Sequence, residues 1–215
     1  MARRLPAPAP ILPGYTVLRP LGSGGFADVH LYEQAMPRRN VAVKVLLDAT
    51  SAQVRSMFLA ESAVLAQLSS HPSVLTVYEA SIAPDGRPYL VMEYCPESFG
   101  ARYRRERLPL SEVLETAVAV GSVLETSHRS GLLHRDVKPA NILITAYGRP
   151  LLADFGIAAT LVAADLDRAT GLSVPWAAPE VLSGASRGDV RSEVWSFAAT
   201  LYTLLAGRSP FEAPD

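Results

Sequence analysis

Residues 134–141 read HRDVKPAN, and Lys138 among them is one of only two lysines in a 215-residue chain that carries 20 basic side chains. The other is Lys44, in VAVK (41–44). Arginine fills every other basic position, so these two sites ask for something a guanidinium does not supply. A lysine ammonium is a compact point charge, whereas arginine presents a broad planar fork. Pro139 offers no backbone donor and short apolar runs flank the stretch on both sides, which places it in a loop between strands. Asp136, Lys138 and Asn141 therefore share one loop. A carboxylate can orient a hydroxyl nucleophile, an ammonium can offset charge on a transferring phosphoryl group, and an amide oxygen can help hold a hard divalent cation. Asp154, in ADFG (153–156), offers a second oxygen ligand. Any one of these residues alone reads equally as a loop cap or Asx-turn; it is the grouping that points to phosphoryl chemistry.

Upstream of this loop the pattern is of short strands, YTVLRPLG (15–22), FADVHLYEQ (26–34), NVAVKVLL (40–47), SVLTVYEA (73–80) and PYLVMEY (88–94), separated by Gly, Pro, Asn and Asp. On the third, the period-two rule sends Val43 and Val45 to one face and Ala42 and Lys44 to the other. LGSGGFADV (21–29) puts three glycines between two strands, where a backbone without Cβ atoms can approach a phosphate; by itself it reads equally as a turn. One helix interrupts the strands over 52–69, with Val54, Met57, Phe58, Leu65 and Leu68 on one stripe and Glu61 inside it. A carboxylate on an inward face needs a cation, and Lys44 is the candidate; the alternative is a solvated Glu61 at the edge of the stripe.

After Tyr94 the pattern becomes helical. Residues 111–130 carry Leu114, Ala117, Val118, Gly121 and Leu124 on one face behind a Ser111 N-cap, and 189–206 carry Val194, Phe197, Ala198, Leu201 and Leu205 with Gly207 as the stop. Between them LLH (132–134), NILI (141–144) and PLLAD (150–154) have the lengths of short strands. The expected organisation is α+β: a Pro-rich flexible or extended leader over 1–14, a strand-rich first lobe over 15–95, and a mainly helical second lobe over 96–215, joined at YCPES (94–98).

Composition narrows the partners. A formal net charge of -1 gives no general attraction to nucleic acid or anionic lipid, and no apolar run reaches the eighteen or so residues of a membrane span. MARRLPAPAPILPG has no sustained apolar stretch and does not read as a secretion signal, so a cytoplasmic chain is expected. The single cysteine, Cys95, excludes an intrachain disulfide and a cysteine metal site. Arg102, Arg104, Arg105 and Arg107 could form a nucleic-acid patch, but only Tyr103 interleaves them, and a solvated helix face or a docking edge for acidic protein fits better.

The glycine stretch, VAVK, HRDVKPAN, ADFG and APE (178–180) together resemble the eukaryotic-type serine/threonine protein kinases common in actinobacteria, from Tyr15 to Phe211. The resemblance implies a bilobal fold, a β-rich N-lobe with one helix and a helical C-lobe that ends here after its central helix. It implies that Leu21, Gly22, Ser23, Gly24, Gly25 and Val29 cover ATP, that Ala42, Met92, Glu93, Cys95 and Leu143 surround the adenine, and that Lys44 contacts phosphates and pairs with Glu61. Asp136 would accept the substrate hydroxyl's proton, Lys138 would steady the γ-phosphate, and Asn141 with Asp154 would ligate magnesium or manganese. Arg135 would receive a phosphorylated activation segment, with Thr170 or Thr160 as the phosphosite. Ser173 falls where such kinases have threonine near the substrate, and Glu180 ends the segment. Protein substrates, ATP and self-association of kinase domains are the implied partners.

Four departures stand against that pattern: Ala27 at the third loop glycine, Glu193 where an aspartate braces the catalytic loop, Ala198 for a nearby glycine, and the missing arginine that would pair with Glu180. The last implies an unpaired carboxylate, and truncation implies exposed apolar surface. A pseudokinase acting as a nucleotide-binding or scaffolding module is the alternative they motivate. A small-molecule phosphotransferase would leave the APE segment without a purpose.

Overall fold

The computed structural model describes residues 4–25, 27–47, 62–63, 66–155 and 173–212. They divide into two compact units, Met1–Ser69 with Thr76–Tyr94 and Ser70–Leu75 with Cys95–Asp215. Glu61, most of the helix expected over 52–69, Thr160 and Thr170 lie outside the described residues; of that helix, 62–63 and 66–68 are helical and Leu68 is buried.

The first unit is an antiparallel sheet of β1 (Tyr15–Ser23), β2 (Ala27–Gln34), β3 (Arg39–Leu46), β4 (Val77–Ile82) and β5 (Pro88–Glu93) in the order β1-β2-β3-β5-β4. β-Branched residues at alternate positions of β3 drive it. Val41, Val43 and Val45 are wholly buried in a cluster with Leu12, Tyr32, Ala83, Tyr89 and Val91. The register sets two rows across the opposite face, Val29–Lys44–Leu90 and Leu31–Ala42–Met92. The strand expected from Ser73 begins only at Val77.

The leader, expected as flexible or extended, lies against the sheet. Residues 4–12 have no regular secondary structure, yet Pro10 and Leu12 are buried. Tyr32 Oη donates to the Pro10 carbonyl at 2.7 Å and Arg87 Nη2 to that of Pro8 at 2.9 Å. Proline-rich sequence removes donors and favours extension, but it leaves carbonyls for a neighbouring sheet to satisfy.

The second unit carries a small sheet of β6 (Glu97–Ser98), β7 (Ile142–Ile144) and β8 (Pro150–Leu152). Ser70–Leu75 docks on it through a parallel bridge from Val74 to Leu152. LLH (132–134) forms no strand. Its helices are α1 (Phe99–Arg102), α2 (Leu110–Arg129), α3 (Pro179–Leu182) and α4 (Val190–Ala206). Gly100 is required where α1 meets the HRDVKPAN loop, because a Cβ there would lie 2.6 Å from the Ala140 Cα.

Both long helices turn inward a face rotated from the one their apolar stripes suggest, and of those stripes only Leu124 is buried. In α2 the buried residues are Val113, Thr116, Val120, Val123, Leu124 and Ser127, while Leu114 and Val118 are exposed, and the N-cap is Pro109 rather than Ser111. In α4 they are Ser192, Glu193, Ala199, Thr200, Thr203 and Leu204, while Val194 and Leu205 are exposed. The stop signal of α4 does hold, with Gly207 in the left-handed cap at φ 71°, and the helix starts on a capping box between Asp189 and Ser192.

Candidate active site

HRDVKPAN forms a loop that tightens into one 3₁₀ turn at Pro139–Asn141. Its first residue is a buried anchor. The His134 Nδ1 accepts the Asp136 N–H at 3.2 Å and its Nε2 faces the Ala153 carbonyl at 2.9 Å. Because a carbonyl only accepts, Nε2 carries the hydrogen and the ring is neutral; burial pushes its pKa below 6.5. The Phe155 ring packs on it with centroids 4.6 Å apart.

Arg135 adopts φ 66°, a left-handed conformation that a non-glycine residue holds only where its surroundings impose it. Glu193 of α4 is the imposing group. Its Oε1 accepts the Arg135 N–H and its Oε2 accepts from His128 Nε2 of α2, each at 2.5 Å, with the carboxylate almost wholly buried. The longer side chain thus reaches the loop backbone. Thr200 of the same helix donates to the Val137 carbonyl at 3.2 Å.

With its backbone so held, Asp136 is half-buried and surrounded by donors. Lys138 Nζ lies 2.6 Å from Oδ2, Ser173 Oγ donates to Oδ1 at 2.7 Å, and Lys138 Nζ also donates to Ser173 Oγ at 2.7 Å. Asn141 Nδ2 donates to the Asp136 carbonyl and to Oδ2 at 2.8 and 3.0 Å. With its nitrogen committed to Asp136, the amide presents oxygen to any cation. The Ala153 N–H donates to the Asn141 carbonyl at 2.9 Å, which brings the exposed Asp154, at φ 56°, out of β8 beside it. No three His, Cys, Asp or Glu side chains gather as a metal cluster among the described residues. One amide and one carboxylate, leaving most positions to phosphate oxygens and water, suit magnesium carried in with a nucleotide.

In the first unit, Val29, Ala42, Lys44 and Met92 share the face opposite the apolar cluster, as the register dictates. Ala42 and Met92 are buried, and Lys44 and Val29 half-buried. Leu21, Gly22 and Ser23 end β1, and Gly24 and Gly25 form the exposed tip beyond it. The Gly24 N–H donates to the Ala27 carbonyl at 2.8 Å. Ala27 has no positive φ, so the missing third glycine imposes no strain. Glu93 ends β5, its N–H held by the Thr76 carbonyl at 2.9 Å; Cys95 follows in the second unit, where Leu143 lies on β7.

Glu180 corrects the expectation of an unpaired carboxylate: its Oε1 accepts from Ser192 Oγ at the start of α4. Three of the four arginines of the run are engaged within the chain. Arg102 pairs with Glu97, Glu106 and Glu112, Arg105 pairs with Glu97, and Arg104 stacks on Tyr103. Sequence reasoning missed His128, Ser192, Thr200 and Thr203, whose Oγ1 accepts from Trp176 Nε1 at 2.9 Å. A stripe of small polar residues at helical spacing, 192, 196, 200 and 203, was the available signal. Beside Ser173 an apolar hollow of about 450 Å³ is lined by Val174, Pro175, Leu182, Trp195 and Phe211.

Comparison with known proteins accords with this arrangement. The family model described as protein kinase domain matches residues 15–215. Serine/threonine-protein kinase PknK of Mycobacterium tuberculosis is 40% identical over 204 residues, covering 93% of this chain and 18% of PknK. PknF of the same organism is 37% identical over 212 residues, covering 93% of this chain and 44% of PknF. The crystal structure of a point mutant of the M. tuberculosis PknI kinase domain superposes with a TM-score of 0.72 at 33% identity over 97% of this chain and 80% of that one. The chain thus spans less than half the length of either curated relative.

Proposed function

This chain belongs to the protein kinase family, and from that premise we propose that it transfers the γ-phosphoryl group of ATP to serine and threonine hydroxyls of proteins, itself included. The observation that carries the reading is the Ser173 hydroxyl, gripped at 2.7 Å by both the Asp136 carboxylate and the Lys138 ammonium. A pair that holds one alcohol this way can hold a substrate's. The alcohol oxygen attacks the γ-phosphorus, the bond to the β–γ bridging oxygen breaks with its electrons leaving on ADP, and the alcohol proton passes to Asp136. Lys138 offsets charge on the transferring group, and Asn141 orients Asp136 while offering its oxygen, with that of Asp154, to magnesium or manganese. The metal neutralises phosphate charge when bound. Lys44 is assigned to the phosphates and to Glu61. Gly22, Gly24, Gly25, Val29, Ala42, Met92, Glu93, Cys95 and Leu143 are assigned to the nucleotide. Arg135 would receive a phosphate on Thr170.

The rival reading, an inactive scaffold, drew on Glu193, and the carboxylate bonded to the Arg135 N–H supports a braced loop instead. The test is label transfer from ATP with magnesium to a generic basic protein. Wild type is expected to transfer and both Lys44→Met and Asp136→Asn to lose it, by a factor on the order of 10³ or more. Transfer indifferent to both changes would end the proposal, and thermal stabilisation by ATP without transfer would favour the scaffold.

A further inference from the structure

Residues 4–12 do more than cover the sheet. Ser23 and Asp28 are register partners at the base of the glycine-rich turn, and the leader grips both. The Arg4 guanidinium forms an ion pair with Asp28 Oδ1 and donates to the Gly24 carbonyl at 3.4 Å. Ser23 Oγ donates to the Arg4 carbonyl at 3.1 Å, and the Ala7 N–H donates to Asp28 Oδ2 at 2.7 Å. Asp28 is 1% exposed although it stands one residue from Val29, on the rim of a loop assigned to phosphates. A carboxylate so placed would ordinarily be solvated, and one buried without partners would be costly. The leader both buries it and supplies its donors. The other end of the leader is fixed by Leu12 in the apolar cluster and by Pro10 against Tyr32.

We propose that residues 4–12 are a strap that positions the glycine-rich loop for nucleotide, with Arg4 and Asp28 as its clasp; the functional part of this rests on the kinase reading above. Neither residue is catalytic: Arg4 acts on the Gly24 carbonyl and, through its own carbonyl, on the Ser23 hydroxyl, and Asp28 acts by holding Arg4. A tethered loop has less conformational freedom to lose when it closes over phosphates, so the clasp strengthens ATP binding rather than the transfer step. Every strap contact named above lies within the first unit, which makes the effect selective.

Arg4→Ala, Asp28→Asn and the double variant test it in the full chain. The expected result is a rise in the KM for ATP, and in the Kd of a fluorescent ATP analogue, of about fivefold or more, with kcat and the KM for protein substrate near wild type. Amide hydrogen exchange without nucleotide should show faster exchange at residues 22–27 in both single variants. The double variant should lose less than the sum of the single ones, since both remove the shared Arg4–Asp28 contact. Unchanged exchange and unchanged nucleotide affinity in well-folded variants would overturn the proposal. So would a uniform loss of kcat and of affinity for both substrates, which marks a merely structural strap. Because exchange and nucleotide binding are read without turnover, they decide the strap even if the wild-type chain transfers no phosphate.

Discussion

Lys44 stands on a strand whose flanking Val43 and Val45 are wholly buried among apolar side chains, whereas Asp136 stands in a loop whose backbone is held by Glu193, Thr200 and Asn141. In the first unit, position follows from hydrophobic registry: the pleat and the cross-strand pairing send Val29, Ala42, Lys44 and Met92 to one face. In the second, position follows from buried hydrogen bonds. The two schemes respond differently to damage. An apolar cluster loses stability in proportion to the atoms removed, whereas a buried polar brace fails as a unit because each partner left behind is unsatisfied.

Glu193→Ala should break the second scheme most severely. It strands His128 and the Arg135 N–H in a buried site and releases a residue held at φ 66°. The expected destabilisation is about 3–5 kcal/mol, read from urea unfolding, with a loss of kcat on the order of 10²-fold as Asp136 drifts. Glu193→Gln, which keeps an acceptor for the Arg135 N–H, should retain more of both. Equal stability and turnover for wild type and Glu193→Ala would show that the loop is held by other means.

That brace is also where the sequence was hardest to read. Asp136, Lys138, Asn141 and Asp154 were legible because their residue types and spacing announce a chemistry. The sheet was legible because Val41, Val43 and Val45 alternate with Ala42 and Lys44. The inner faces of α2 and α4 were not. An apolar stripe such as Leu114–Val118 or Val194–Leu205 shows which residues share a side, but apolar residues also populate surfaces, so periodicity alone does not say which side is buried. In α4 the buried side is polar because a loop backbone with open donors and acceptors lies against it. The leader escaped for a related reason: its docking is written in proline carbonyls and one arginine, which carry no periodicity.

Val43→Ala probes the first scheme. Removing two buried carbons should cost about 2 kcal/mol, seen in the urea midpoint, while ATP affinity and kcat per folded molecule stay near wild type because the registry of the remaining strand pairs survives. A large change in ATP affinity at small cost in stability would mean that the sheet positions Lys44 less passively than its geometry suggests.

His134 makes the stability of the second unit depend on pH. Its pKa is lowered by burial from 6.5, so the unfolded chain takes up a proton near that value while the folded chain does not. Its contribution to stability is complete above the unfolded pKa and falls as pH drops through it, by up to about 1.4 kcal/mol per pH unit. Urea midpoints of wild type between about pH 5 and 8 should decline on the acid side, and His134→Asn should remove that part of the slope. An identical slope in the variant would assign the acid sensitivity to other groups.

Thr200→Val makes the finest cut between the schemes. Thr200 is wholly buried, and its hydroxyl lies 2.8 Å from the Ser196 carbonyl in its own helix and 3.2 Å from the Val137 carbonyl in the loop. The helical carbonyl loses nothing essential when the hydroxyl goes, because the helix satisfies it. The Val137 carbonyl loses a buried donor, which should cost about 1 kcal/mol. Val137 lies between Asp136 and Lys138, so a loop held by polar contacts should also lose kcat severalfold, with the KM for ATP unchanged. Thr203→Val removes a different bond of similar worth, to Trp176 Nε1, in the segment after Ser173 rather than in the loop. If the brace on the loop backbone is what sets Asp136, the two variants match in stability and differ in which constant moves: kcat for Thr200→Val and the KM for protein substrate for Thr203→Val. Identical kinetic losses would mean that α4 acts on both segments as one rigid support, and the distinction between bracing the loop and shaping the substrate side would fall.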